Sequence, residues 1–255
     1  MSMYRQRHFG LLLILICVLC FVEPAQAHRP AGANESGITT IPDPTTSYAY
    51  YEALEEAGLV DVYEVTGEAG QFFHAGINIP QIEGLESYGV TLALLGPGLP
   101  QLDGSSLPIV PHEHPEDLGT HLHDEDGSAW REELALDNLH GIVAANEAGE
   151  DFFEPFTQTN YWGRQELELE LPAAGTYYLL VWQPRGMAGK YVMDTGRAEV
   201  FGLGDLFRFP VWWVQTHLYF EHTGQLGLGA AILLLLLALI VPRRRRASRL
   251  RESLA

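Results

Sequence analysis

The stretch "RQELELELPAAGTYYLLVWQPRGMAGKYVMDTG", residues 164–196, constrains the fold more than any other part of the chain. In "ELELEL" the alternation is strict: Leu167, Leu169 and Leu171 fall on one side of an extended chain and Glu166, Glu168 and Glu170 on the other. One side belongs to a core and one to water, which is the signature of an antiparallel sheet. "PAAG" then turns the chain into the apolar strand "TYYLLVW", and "PRGMAG" turns it into "KYVMD".

Earlier segments repeat the theme. "DVYEV", "QFFHAGINI" and "VTLALLG" are short β-branched, aromatic and aliphatic runs separated by glycine-containing turns. "SYAYYEALEEAGLVDVYEV" reads either as a short helix capped by Ser47 and stopped at Gly58, or as strand, turn and strand. Residues 28–46 lack periodicity and read as an extended lead-in. The expected fold is mainly β: an antiparallel β-sandwich or jelly roll over residues 47–203, interrupted by a proline- and glycine-rich insertion at about 96–130.

The two ends place this domain outside the cytoplasm. Arg5 and Arg7, an apolar run from Leu11 to Val22 and the small residues Ala25-Gln26-Ala27 form a secretory leader, residues 1–27, with cleavage expected after Ala27. Near the C-terminus an uncharged run, residues 226–241, precedes six arginines in a basic tail, 242–255. That order is a stop-transfer helix with its arginines inside. Sixteen residues rise only about 24 Å against a hydrocarbon core of roughly 30 Å, so neighbouring residues must contribute. Residues 204–225, with Trp212 and Trp213, read as an aromatic juxtamembrane segment; Asp205 is a possible N-cap, and Pro210 would delay or kink a helix there. The expected arrangement is a single-pass protein of the cell membrane, with the lipid bilayer as one partner.

Charge narrows the remaining partners. Residues 28–241 hold 31 of the 33 acidic residues and seven of the 15 basic ones, a formal charge near −24. Nucleic acid is a poor partner for such a surface, whereas divalent cations and basic envelope proteins suit it. Both cysteines, Cys17 and Cys20, leave with the leader, which rules out disulfides, thiolate zinc sites and a cysteine nucleophile in the exported part.

The order "LVDVYEVTGEAGQFFHAGINIP", "VTLALLGPG" and "LPAAGTYYLLVWQPRGMAGKYVMDTG" resembles the bacterial pre-peptidase C-terminal domain, a secreted β-sandwich module, over about residues 58–95 and 166–195. Val65 stands where that family more often has an aromatic, and the insertion replaces a short connection. The resemblance implies an accessory or binding role without catalytic residues.

The insertion contains "PHEHPEDLGTHLHDEDG", residues 111–127, with four histidines and six carboxylates. His112 with His114, and His121 with His123, are H-x-H pairs whose members project to one side of an extended chain. Together with Asp124 and Asp126 they form a nitrogen and oxygen donor set suited to zinc or copper, and less to calcium. "HEHPE" lacks the spacing of a zinc protease, because Glu116 stands where the second histidine belongs. An EF-hand read from Leu122 lacks its first aspartate. Weak metal buffering, pH sensing and a merely solvated loop remain open for this tract.

His28 offers a second metal reading, since a chain cleaved after Ala27 begins with an amino group and an imidazole that together suit one copper ion. His74, His140, His217 and His222 stand isolated in the sequence and read as strand, loop or interface residues. Trp130, Trp162 and Trp182 read as core or hairpin aromatics, or as a glycan-binding platform. No nucleophile-elbow or phosphate-binding motif is present, so a non-enzymatic binding module is expected. Its alternatives are a structural domain that binds protein or glycan without metal, and a copper protein built on His28.

Overall fold

The computed structural model describes residues 28–32, 38–55, 59–102, 107, 140–145 and 149–235. The leader, most of the insertion with all six of its proposed ligands (His112, His114, His121, His123, Asp124 and Asp126), and the basic tail lie outside the described residues. The chain divides into two compact units, residues 1–200 and 201–255.

The first unit is mainly β, as the alternation predicts. A six-stranded sheet contains β1 (Arg29–Ala31), β3 (Tyr48–Leu54), β11 (Gly189–Thr195), β5 (Phe72–Pro80), β9 (Thr159–Glu170) and β8 (Asp151–Glu154), in that spatial order. A five-stranded sheet contains β2 (Thr39–Ile41), β4 (Val60–Gly67), β10 (Gly175–Trp182), β6 (Thr91–Leu95) and β7 (Gly141–Val143). All pairings are antiparallel except β1 with β3 and β2 with β4. The residues read as an extended lead-in thus supply one strand to the edge of each sheet. Of the two readings of "SYAYYEALEEAGLVDVYEV", strand and strand holds: Tyr48, Tyr50 and Leu54 alternate into the core, a period that a helix would not keep.

The core lies between the sheets. Tyr50, Phe73, Ile77, Ile79, Leu167, Tyr191 and Met193 come from the six-stranded sheet, and Tyr63, Val65, Leu92, Leu94, Tyr177, Leu179 and Val181 from the other. The Tyr63 and Tyr191 hydroxyls meet at 3.1 Å across it, and Tyr191 donates to Asp61, so these buried phenols keep polar partners. Leu167 and Leu171 are buried while Glu166, Glu168 and Glu170 are exposed, as expected of "ELELEL".

Strand β10 is buried on both faces. Its second face, Tyr178, Leu180 and Trp182, forms a smaller apolar cluster with Val62, Ala93, Leu95 and Leu107. Leu107 comes from the insertion, and Gln101, also within it, bridges to His140 just before β7 of the same sheet.

The second unit begins with α1 (Leu203–Tyr219), and a further helix starts at residue 223 and is described to residue 235. Gly202 is the N-cap of α1; Asp205, expected as the cap, instead accepts the Gly202 N–H at 2.8 Å from within the first turn. The helix runs through Pro210. Among the described residues no helix is long and apolar enough to cross a membrane.

Candidate functional site

The outer face of the six-stranded sheet is built by the residues that alternate out of phase with the core. Phe73, Ala75 and Ile77 point inward from β5, so His74, Gly76 and Asn78 lie outward. Glu166 and Glu168 do the same on β9, and Asp194 on β11. Register completes the assembly: His74 pairs with Glu168, and Gly76 lies between Glu166 on one side and Asp194 on the other. Three strands far apart in sequence thereby place one histidine among three carboxylates.

Gly76 supplies the floor. A Cβ there would stand 2.7 Å from Oδ1 of Asp194, so only the bare backbone lets that carboxylate lie across β5. Asp194 is buried and held at both oxygens. Its Oδ2 meets His74 Nε2 at 2.7 Å, and its Oδ1 accepts from Asn78 Nδ2 at 2.7 Å. Burial pushes the Asp194 carboxyl up, but the hydrogen bond from His74, the charges of His28 and His74, and the Asn78 amide hold it below the usual carboxylate range.

An ionised Asp194 fixes the tautomer of His74, because its carboxylate requires a proton on Nε2. In the neutral imidazole the Nδ1 lone pair is then free. That nitrogen is buried without a hydrogen-bond partner, 3.3 Å from Glu168 Oε1 and 3.5 Å from Glu166 Oε1. A lone pair facing two carboxylates is repelled, and either a proton or a metal cation on Nδ1 turns the repulsion into attraction. Burial pushes the His74 imidazole down, yet the hydrogen bond and charge of Asp194 outweigh it and raise it above its ordinary value.

The separations suit a metal. Tetrahedral zinc with bonds of 2.0–2.1 Å to nitrogen and oxygen needs ligand atoms about 3.3 Å apart. The three ligand atoms of His74, Glu166 and Glu168 all lie within 4.8 Å of one another. Asp194 behind His74 completes the carboxylate–histidine arrangement that orients imidazole ligands in metal sites. One residue competes: Arg197 Nη2 stands 2.9 Å from Glu166 Oε1 and also contacts Glu168. Burial pushes the Glu168 carboxyl up, while the hydrogen bond and charge of Arg197, then His74, hold it below its ordinary value. The guanidinium is half-exposed and can withdraw into water without leaving a buried charge behind.

His74, expected to be an isolated strand histidine, is therefore the centre of the polar cluster. The sequence marks its phase but not its partners, since 94 positions separate it from Glu168 and a long insertion lies between them. His140 does act as a loop residue, its Nδ1 bonding to the Leu99 carbonyl at 2.7 Å. His28 Nδ1 meets Ser47 Oγ at 2.7 Å, so the nitrogen that would chelate copper together with a terminal amine is engaged by a hydroxyl. Trp182 is buried, Trp162 is half-buried with the Arg164 guanidinium 5.2 Å from its ring centre, and Trp130 lies outside the described residues.

No family model and no curated protein matches the chain. Among solved structures it is similar to Salmonella Typhimurium PliG, a periplasmic inhibitor of g-type lysozyme, at 17% identity over 63% of this chain and 98% of that one, with a TM-score of 0.30. Aeromonas hydrophila PliG matches at 12% identity over 67% and 98% of the two chains, with a TM-score of 0.29. CorA, a surface-associated copper-binding protein of Methylomicrobium album BG8, matches at 9% identity over 66% and 100%, with a TM-score of 0.29. Similarity at this level carries no argument about function.

Proposed function

We propose that the protein is a membrane-tethered, extracytoplasmic β-sandwich module of the accessory kind that the pre-peptidase C-terminal resemblance implies, and that it binds a divalent cation on the outer face of its six-stranded sheet. The observation that carries the metal reading is the buried Nδ1 of His74, aimed at two carboxylates 3.3 and 3.5 Å away without an aligned hydrogen bond to either. His74, Glu166 and Glu168 are the ligands, Asp194 orients His74, and Arg197 holds the carboxylates until a cation displaces it. The donor set of one imidazole and two carboxylates favours zinc or a similar borderline cation over copper(I). The tether is the apolar run 226–241 with its arginines on the cytoplasmic side.

Calorimetric titration of the full chain with zinc in detergent tests this reading. Removing both carboxylates (Glu166→Gln with Glu168→Gln) is expected to weaken binding at least about 100-fold, since two of three ligands are lost. A variant with His112, His114, His121 and His123 all changed to Ala is expected to retain the tight phase. Loss in the second variant and retention in the first would move the site to the insertion. No binding in the native chain would leave a module for protein or glycan.

A further inference from the structure

The C-terminal unit carries apolar side chains on surfaces that a water-exposed stalk would keep polar. On α1, Leu203, Phe207, Val211, Val214 and Leu218 are exposed, Leu203 and Phe207 by 87% and 81%. Their spacing of four, four, three and four residues, at 3.6 residues per turn, confines them to an arc about 80° wide. Arg208 and Gln215 border the stripe. The helix buries Asp205, Thr216 and His217 on a different side, where Leu206 and Phe209 are nevertheless exposed. The following helix exposes Leu228 and residues 232–235 in the same way.

The two helices are not independent along the chain. Glu221 adopts a left-handed conformation (φ 59°) in the turn between them, and the chain folds back so that the Trp213 ring lies against Gly229, 3.1 Å from the position a Cβ would take there. Gly229 is the fourth residue of the apolar run 226–241. If that run enters the bilayer, the middle of α1 sits at the depth of its first turn.

We infer that α1 is itself embedded in the outer leaflet, its stripe of Leu203, Phe207, Val211, Val214 and Leu218 against the acyl chains and Arg208 and Gln215 toward the headgroups. This rests on the reading of 226–241 as the membrane anchor and changes what that anchor is: two helices folded on each other, not one helix below a solvated stalk. The occupant of the stripe is lipid and not a protein, because Trp213 ties the helix to the first turn of the apolar run that enters the bilayer.

With Cys17 and Cys20, the two cysteines of the sequence, replaced by Ser, single-cysteine variants report cleanly. Phe207→Cys, Val214→Cys, Gln215→Cys and Leu233→Cys, made in the full chain, would be labelled with an environment-sensitive fluorophore in vesicles of mixed zwitterionic and anionic phospholipid. Labels at 207, 214 and 233 are expected to be quenched by nitroxide-bearing lipid and about fivefold less by iodide than the label at 215, as for a helix with one face among the acyl chains. A shielded 233 with 207 and 214 as open to iodide as 215 would overturn the inference and leave the anchor standing. An open 233 would overturn both. Phe207 and Val214 are themselves exposed, so their replacement leaves the packing between the helices intact.

Discussion

The two sheets of the sandwich share one core but differ in what they do with their second faces. The five-stranded sheet turns Val62, Ala93, Leu95, Tyr178, Leu180 and Trp182 outward and covers them with further apolar groups, Leu107 of the insertion among them. The six-stranded sheet turns out His74, Asn78, Asp194, Glu166 and Glu168. One second face is closed by hydrophobic burial and the other is held together by charge. Where the insertion leaves from and where the histidine cluster forms are thus on different sheets.

The largest effect should come from placing a charge on the wrong face. Leu180→Asp buries a carboxylate among Val62, Leu95 and Trp182 with no partner, and is expected to cost more than about 4 kcal/mol, enough to unfold the domain. Glu166→Ala on the other sheet is expected to change stability by no more than about 0.5 kcal/mol. Urea unfolding of both variants measures the contrast, and equal costs would show that the two faces do not differ as described.

Next in size is the polar cluster itself. Asp194→Ala leaves the buried His74 and the half-buried Asn78 without their acceptor and is expected to cost about 3 kcal/mol, with Asp194→Asn sparing part of it by keeping the shape. A loss below about 0.5 kcal/mol for the alanine variant would mean that the dyad contributes nothing to the fold.

The same groups set a pH dependence in the chelator-treated protein. Asp194 has a lowered folded value, so its contribution is present above its unfolded pKa, near 3.9, and is lost as pH falls through the folded one. His74 has a raised folded value, so its contribution is complete below about 6.5 and is lost as pH rises through the folded one. Stability from this cluster therefore peaks between about pH 4 and 6.5. His74→Gln should flatten the alkaline arm and leave the acid arm of other carboxylates; an unchanged alkaline arm would remove His74 as its source. Zinc binding runs the opposite way, since metal and proton compete for Nδ1, and its affinity should climb about tenfold per pH unit below the His74 value.

The sequence exposes half of this comparison. Tyr178, Leu180 and Trp182 make the second face of "TYYLLVW" apolar beyond Thr176, and a strand of that kind has to be covered twice. In "ELELEL" and "QFFHAGINI" the phases of Leu167 and Phe73 put Glu166, Glu168 and His74 on outer faces without any structure. What the sequence does not show is that β5 and β9 are neighbours, because pairing across an insertion depends on the register of a whole sheet and leaves no local mark. His112, His114, His121 and His123 are neighbours in the sequence and lie outside the described residues, whereas the partners of His74 come from other strands. Asp194 carries its own muted signal: a carboxylate in "YVMDT", otherwise a buried strand, is costly unless something pairs with it. The helices follow the same logic, since the apolar run is plain to read but its contact with Trp213 belongs to the turn at Glu221.

The smallest expected effect is also the most informative about the site. Arg197→Ala removes a half-exposed guanidinium from Glu166 and Glu168, and exposed ion pairs contribute only about 0–1 kcal/mol, so stability should scarcely change. Metal affinity should rise, because the competitor for both carboxylates is gone while His74 and Asp194 are untouched. Calorimetry with zinc on Arg197→Ala and Arg197→Lys separates competition from simple loss of positive charge: the lysine variant keeps the charge but cannot bridge two carboxylates with one planar group, and should fall between. If Arg197→Ala binds zinc no better than the native chain, the guanidinium does not occupy the place of the cation, and the two glutamates serve the arginine as an ion pair and nothing more.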